Sequence, residues 1–439
     1  MAENDLAQMS PVEFRDFLGE QGIRRFWLAW DEAAATVRAS HGVLEPLARL
    51  LAADRRDFDR HEGIFAQVAP ETGTLQGAFV HRTCRGQAAG GVRFWRYDTV
   101  EGWLRDGLRL ARGMTQKNAL AGLWWGGGKG VMVRETAPDL SAPGVRRKVY
   151  EEYGEFITSL RGCYVTAEDV GTSVEDMAAV FSRTRFTTCI PPELGGSGNP
   201  SVPTARGVLR GMEAALHHLG MGSLAGKSVA LQGLGHVGAP LADFLVERGV
   251  ARIVGADIDP GLVRAVADRH PGVVEARVVD REDVSILHEE VDVVAPCATG
   301  GILNPATIPG IRARIVCGAA NNQLEDMDRD DLLLLERGVL YVPDFLVNRM
   351  GIVNCADEQY GYVTNDPAIE RHLGDDWDNG IYRLTLAILA EAEEKRVPPA
   401  RVARKLADRR SLETHPVWGH RGIRIIRSLL ESGWARPGD

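Results

Sequence analysis

The stretch "GLWWGGGKG", residues 122–130, sets Lys129 among glycines directly after two tryptophans. A glycine–lysine run first suggests a phosphate loop, which needs G-x-x-x-x-G-K followed by Ser or Thr. Leu123 stands where the first glycine belongs and Gly130 where the hydroxyl residue belongs, so that motif is excluded. The chemistry left is a lysine presented to a small molecule in a half-dry cleft. There burial lowers an amine's pKa and lets it exchange protons near neutrality. A glycine turn carrying a solvated lysine is the plain alternative. Lys117, in "MTQKNA", lies 12 residues earlier. Two ammonium groups facing one cleft depress each other's pKa, so one can hold a carboxylate while the other works as a base. Asp169, closing the apolar run "CYVTAED", can supply an acid. A solvated helix lysine and a helix cap are the plain readings of Lys117 and Asp169, and spacing leaves both open.

A second constellation is "GLGHVG", residues 233–238, which fits G-x-G-x-x-G. The pattern gains force from context: apolar "SVALQ" precedes it, a helical run follows, and the next apolar strand, "ARIVGAD", ends in an acid. Gly233 allows the tight turn, Gly235 admits a pyrophosphate to backbone N–H groups, and Gly238 permits close helix packing. Asp257 follows Gly238 by 19 residues, where a ribose-binding carboxylate belongs. A carboxylate there bonds a free 2′-hydroxyl and repels a 2′-phosphate, which favours NAD over NADP. Asp259 competes for this role, and Arg264 stands near enough in sequence to weaken the preference. A nicotinamide cofactor asks for a substrate carbon that can give up hydride, and two lysines with an acid are the parts for oxidative deamination of an amino acid.

These groups need a scaffold. The pattern over 10–55 reads as helical, rich in Leu, Ala and charge. Residues 63–97 read as short strands broken by turns, and "TVEGWLRDGLRLARGMTQKNALAGL" as a long amphipathic helix leading into the lysine motif. A further helix precedes the strand "GCYVTAED", and another begins near Thr204. From there strands alternate with helices, through "VDVVAPCATGG" and "ARIVCGAANNQ", which implies a parallel sheet covered on both faces. The tail from about 356 is again helical in pattern. The expected fold class is α/β, with a helical extension over 1–55 and a Rossmann dinucleotide domain over 204–355. The 439-residue chain is 44% hydrophobic and 25% charged, ordinary for a soluble protein. Its net charge of −9 gives no electrostatic reason to expect nucleic acid or an acidic membrane as partner. "MAENDLAQMSPVEF" lacks the build of a signal peptide, and six scattered cysteines without a C-x-x-C pair read as reduced, buried thiols of a cytoplasmic protein.

Taken together, "GQAAGGVRFW", "GMTQKNALAGLWWGGGKGV", "YVTAEDVGTS", "GSGNPSVPTARGV", "GLGHVG", "APCATGG", "GAANNQL" and "NCADE" resemble the glutamate/leucine/phenylalanine/valine dehydrogenases, most closely their leucine and phenylalanine branch. The resemblance runs from about residue 60 to about 358. It implies that Lys129 is a base acting through a water, that Lys117 binds the substrate carboxylate, and that Asp169 handles the proton on the amino group. Thr204 and Asn321 are then expected near the nicotinamide. Gly90, Gly91 and Met114 join the implied substrate site, and His236, Val237 and Ala298 join the implied cofactor site. The implied reaction is hydride transfer from Cα to NAD⁺, attack of water on the imine, and release of a 2-oxo acid and ammonia. On this reading the glycines of the lysine motif let substrate and nicotinamide approach, and the tryptophans wall one side. The fold so implied has two domains separated by a deep cleft: an N-terminal substrate and oligomerisation domain with a mixed sheet over 56–203, and the C-terminal Rossmann domain over 204–355, with 356–439 as a tail returning to the first domain. A homo-oligomer is expected by analogy.

Glutamate-specific members carry a lysine just before the GG of the first motif, where this chain has Ala89. The matching pocket positions Ala167, Ile352 and Cys355 are also uncharged. A distal carboxylate there would be buried without a partner, at a cost of a few kcal/mol. An apolar side chain of the leucine, valine or phenylalanine kind fits instead. The chain departs from the family's N-A-G-G-V at "NRMGIVN", where Arg349 and Met350 replace small residues. Arg349 could clash with substrate, reach for a carboxylate, or point into the cleft. Two other functions are therefore carried forward: a glutamate-type enzyme with recognition moved to Arg349, and a nucleotide-binding regulator without turnover. No metal is expected, and His415 and His420, in the unmatched "THPVWGHRG", read as structural or subunit-contact residues.

Overall fold

Two sheets divide the computed structural model, which describes residues 5–361, 363 and 365–436. The first has eight strands: β1 (Arg25–Asp31), β2 (Thr36–Ala39), β3 (Gly63–Val68), β4 (Leu75–Arg82), β5 (Ala88–Ala89), β6 (Val92–Trp95), β7 (Gly126–Val133) and β8 (Tyr164–Val165). Their order is β2-β1-β3-β4-β7-β5-β8, with β6 also paired to β7. The meander β2-β1-β3-β4-β7 is antiparallel and the pairs made by β5, β6 and β8 are parallel, so the sheet is mixed. Every residue of β7 is buried, as expected of a strand covered on both faces. The helical run read over 10–55 is corrected here: β1 and β2 form a hairpin that extends this sheet. Its turn is Glu32–Ala33–Ala34–Ala35, helix-forming residues that hide the strand signal of Phe26, Trp27 and Leu28.

The helix Val100–Ala121 crosses one face of this sheet. Trp103, Leu104, Leu108 and Ala111 recur at helical spacing and are buried. Thr99 caps it by accepting the Gly102 N–H at 3.1 Å. Gly122 ends it in the left-handed region, φ 74°. Trp103 meets Phe79 of β4 edge to face at 5.5 Å, a pair contributing about 0.5–1.5 kcal/mol beyond its area.

The second sheet is wholly parallel, in the order β11-β10-β9-β12-β13-β14. Its strands are β9 (Ser228–Gln232), β10 (Arg252–Asp257), β11 (Val274–Val278), β12 (Val293–Pro296), β13 (Ile315–Val316) and β14 (Leu340–Tyr341). With the helices Ser201–His218, Gly238–Glu247 and Pro260–Arg269 this makes the doubly wound arrangement read from the alternating pattern. The tail touches both halves. Leu384, Ile388 and Leu389 join the core around β9, and Ile426, Leu429 and Trp434 join the core behind β7. Between them the helix Pro399–Ser411 lies along Val100–Ala121. Among the described residues no helix is long and apolar enough to cross a membrane.

Candidate active site

Lys129 projects from the middle of β7, paired across the ladder with Phe79, and is 4% exposed. Its Nζ donates to Asp169 Oδ2. Burial drives its pKa well below the ordinary lysine value, helped by the positive charges of Arg93 and Lys117. The glycine turn with a solvated lysine is thereby excluded. Asp169 follows β8 in a tight loop: its Oδ1 accepts the Val170 N–H at 2.7 Å, and its own N–H donates to the Thr172 hydroxyl at 2.9 Å. It does not cap the next helix, because Ser173 does so in a capping box with Asp176. Lys117 stands on the helix Val100–Ala121 and donates to Asn321 Oδ1 at 2.9 Å. Burial pushes its ammonium down to about 8, against the pull of Asp344 and Cys355. A cavity of about 360 Å³ separates the two domains, with Met114, Lys117 and Lys129 on one wall and Asn321, Gln323, Tyr341 and Phe345 on the other.

The lysine motif works differently from the expectation. Its glycines face protein atoms, with Gly126 against the Arg82 carbonyl, Gly127 against the Thr115 backbone, and Gly130 against the Tyr153 hydroxyl. A Cβ on Gly128 would fall 2.7 Å from the Tyr164 ring. They admit the helix and neighbouring strands, not a ligand. The tryptophans do not line the cavity either. Trp125 is packed in the first-domain core, and Trp124 lies on the surface under Arg85 (4.2 Å) and His415 (5.4 Å between rings). The close approach that bears on chemistry is at the other motif. A Cβ on Gly90 would meet Met114 Cγ at 2.8 Å, and one on Gly91 would meet Asp169 Cβ at 2.7 Å.

Ala89, Ala167, Ile352 and Cys355, expected to form the side-chain pocket, are brought together in one buried apolar cluster with Met114 at its border. Cys355 Sγ lies 2.8 Å from the buried Cys189 Sγ, and all six cysteines are free. Cys84 and Cys297 are only half-buried, short of the general burial read from sequence.

The dinucleotide motif lies where β9 meets the helix Gly238–Glu247. Gly233 has φ 94° and abuts Ala298, whose Cβ would be 2.7 Å from an added one. A side chain on Gly238 would strike the Gly233 carbonyl, whereas at Gly235 it would meet nothing within 4 Å. The loop is therefore tight beneath and open above, and with Val237 at the helix N-cap and His236 exposed it fits a pyrophosphate. Asp257, ending β10, accepts the Leu234 N–H at 2.7 Å through Oδ2, which sets its carboxylate beside the loop. Asp259 does not compete, since it caps the next helix through Gly261 N–H at 2.7 Å. Arg264 turns to the Pro260 carbonyl at 3.3 Å. Thr204 opens onto Gly351 while its hydroxyl donates to the Pro200 carbonyl at 2.8 Å. Asn321 receives Asn348 Nδ2 at 2.9 Å as well as Lys117, so it links the two walls of the cleft.

Arg349 takes none of its three readings. It is fully buried, and it donates to the Leu120 carbonyl at 2.8 Å and to the Asn379 carbonyl. Burial and nearby Arg410 push its pKa down to about 9. Its guanidinium is committed to backbone, so no substrate carboxylate is recognised there. Met350 is likewise buried, in the second-domain core. Sequence reasoning missed Arg109 and Arg112, which line the cavity with Lys117, although their spacing along one helix face was an available signal. It also missed Asn118, whose Nδ2 ties β7 to β5 through the carbonyls of Gly126 (2.6 Å) and Ala89 (3.3 Å).

Residues 68–186 match the Glu/Leu/Phe/Val dehydrogenase dimerisation domain, and residues 195–409 match the Glutamate/Leucine/Phenylalanine/Valine dehydrogenase model. The chain is 41% identical over 361 residues to a valine dehydrogenase of Streptomyces coelicolor, covering 82% of this chain and 91% of the relative. It is 44% identical over 307 residues to a leucine dehydrogenase of Geobacillus stearothermophilus, covering 70% and 80%. Among solved structures it matches L-tryptophan dehydrogenase from Nostoc punctiforme at 33% identity and a TM-score of 0.63, covering 80% of this chain and 96% of that one. With the two-domain fold and the paired lysines in its cleft, these likenesses lead to one conclusion: the chain belongs to the Glu/Leu/Phe/Val dehydrogenase family and is an amino acid dehydrogenase.

Proposed function

We propose that the protein oxidatively deaminates an apolar L-amino acid of the leucine or valine kind, reversibly, to its 2-oxo acid and ammonia, with NAD as cofactor. The observation that carries this reading is the buried Lys129–Asp169 pair beside Lys117, at the border of an uncharged cluster. A bound dinucleotide would supply the hydride acceptor; Gly233, Gly235, Gly238 and Asp257 would hold it, and Thr204 and Asn321 would stand toward its reacting end. Lys117, as a cation, releases Asn321 and holds the substrate carboxylate. Lys129, kept neutral by its surroundings, draws a proton from the water that attacks the imine carbon. Asp169, bonded to the same Nζ, takes and returns the proton on the amino nitrogen. Collapse of the carbinolamine then frees ammonia. Ala89, Ala167, Ile352 and Cys355 receive the side chain, and glutamate is disfavoured because none of them can pair a distal carboxylate.

The NAD preference is supported by Asp257, whose carboxylate is held beside the loop where it would repel a 2′-phosphate, and by Arg264, which turns to the Pro260 carbonyl. A homo-oligomer built through the first domain is supported by its match to a dimerisation domain, and a cytoplasmic setting by the six free thiols. The test is reduction of NAD⁺ and of NADP⁺ across the twenty L-amino acids at alkaline pH. Branched apolar substrates with NAD⁺ should dominate, and Lys129→Ala should abolish turnover. Near wild-type turnover in that variant removes Lys129 as the base. NAD binding with no turnover on any amino acid would instead identify a regulator.

A further inference from the structure

Away from the cleft, three side chains from distant segments meet at one end of the first sheet. Glu62 precedes β3, Cys84 follows β4, and His420 ends the loop before the helix Arg421–Glu431. Because β3 and β4 pair antiparallel, with Gly63 opposite Val80, the segments holding 62 and 84 share that end. His420 Nε2 lies 3.2 Å from Glu62 Oε1 and 3.1 Å from the Thr83 hydroxyl, with the Cys84 thiol close by. An oxygen, a sulfur and a nitrogen thus fall within 4.8 Å of one another. Among the described residues no other trio of His, Cys, Asp and Glu converges in this way. The backbone is arranged to hold them. Glu62 is oriented by Thr83, whose N–H donates to Oε1 at 3.1 Å and whose hydroxyl donates to Oε2. The His415 N–H donates to the Cys84 carbonyl at 3.0 Å. Any side chain at Gly422 would run into Thr83, so the turn carrying His420 can seat only with glycine there.

We infer that Glu62, Cys84 and His420 form a zinc site that fastens the C-terminal segment to the end of the first sheet. Thiolate, imidazole and carboxylate are zinc donors, and a tetrahedral ion with bonds of about 2.0–2.3 Å sets its donors about 3.3–3.7 Å apart. The Glu62–His420 separation of 3.2 Å needs only a slight widening to reach this, and the half-exposed Cys84 closes by side-chain rotation. The thiolate disfavours magnesium and calcium, while the carboxylate disfavours copper(I). Binding is ligation alone: Cys84 and His420 give up protons to solvent and nothing is oxidised. Water or the Thr83 hydroxyl completes the shell. None of the three residues lines the catalytic cavity, so the ion joins sheet to tail and takes no part in turnover. The competing occupant is a proton on His420, bridging carboxylate and thiol.

The reduced, chelator-stripped full-length protein is titrated with cobalt(II) as the spectroscopic probe, then with zinc. The expected result is a single cobalt per chain with a near-ultraviolet thiolate-to-cobalt band and the intense visible bands of a four-coordinate ion, all displaced by zinc. Cys84→Ser should delete the ultraviolet band, and His420→Ala should weaken zinc binding about tenfold or more. Zinc should raise the thermal midpoint of the wild type and leave that of His420→Ala unmoved. Absence of the thiolate band in the wild type overturns the site, as does its full retention in Cys84→Ser. Should Cys84→Ser not fold, unchanged zinc affinity in His420→Ala overturns it equally.

Discussion

Gly91→Ala tests how Asp169 is held against Lys129. A Cβ at this position would fall 2.5 Å from the Glu168 carbonyl oxygen and 2.7 Å from Asp169 Cβ, where ordinary contact starts at 3.4 Å. The loop 168–169 must retreat by about 0.7–0.9 Å, and it cannot yield by turning a side chain because the obstacles are a backbone atom and a Cβ. Asp169 is fixed on its other side by the Thr172 hydroxyl and the Val170 amide, so the displacement is passed to its contact with Lys129. Overpacking of this kind costs about 1–3 kcal/mol of stability. A misplacement near 1 Å at a reacting centre costs about a hundredfold in rate. The expected result is a kcat lower by about two orders of magnitude with little change in KM for leucine or valine, measured by NADH appearance. In a Gly91→Ala/Asp169→Ala double variant the losses should not add, because both changes remove the same contact. If Gly91 serves instead to let the substrate come close, KM rises while kcat holds, and the two variants multiply. That outcome would refute the positioning argument.

Arg349→Met should leave the substrate profile unchanged, with no glutamate oxidation before or after. It should lower the urea midpoint, since the Asn379 carbonyl loses its guanidinium partner at about 1–3 kcal/mol and the Leu120 carbonyl is left to Arg410 alone. Glutamate turnover that vanishes in this variant would contradict the buried placement of Arg349. Asp257→Ala removes the acceptor of the Leu234 amide and should weaken NAD binding roughly ten- to hundredfold while narrowing the gap to NADP, read by fluorescence titration. Lys117, at about 8 in the folded protein against an ordinary 10.5, loses its proton before the unfolded chain does. Its contribution therefore opposes folding below about 8, and stability from this group rises with pH from there toward 10.5. Over the same window KM for the amino acid should climb as the carboxylate loses its partner, and Lys117→Arg should flatten that climb.

Local signals carried most of what positions the site. Thr99 and Gly122 bracket the helix that bears Lys117, and the three glycines of 233–238 with Asp257 lie where the motif places them. Distances across the chain carried the rest, and there one sequence was mute. The partners of Arg349 are Leu120 and Asn379, one of them 229 residues away, so the departure at "NRMGIVN" could be seen but not where the guanidinium goes. The glycines around Lys129 signal close approach, yet only the fold tells whether a ligand or Thr115, Tyr153 and Tyr164 makes it. The hairpin at 25–39 was hidden by its alanine turn, and the meeting of His420 with Glu62 and Cys84 by more than three hundred intervening residues.

The Leu120 carbonyl lies in the last turn of the helix that carries Lys117, and it receives both Arg349, from the crossing between domains, and Arg410, from the tail, at 2.8 and 3.3 Å. Cations at that end also complement the helix dipole. One oxygen thus ties together the helix of the first domain, the crossing between domains and the tail. The tail is thus part of what joins the two domains, and a protein shortened before Arg410 would lose one of the two cations at that carbonyl with every catalytic group still in place.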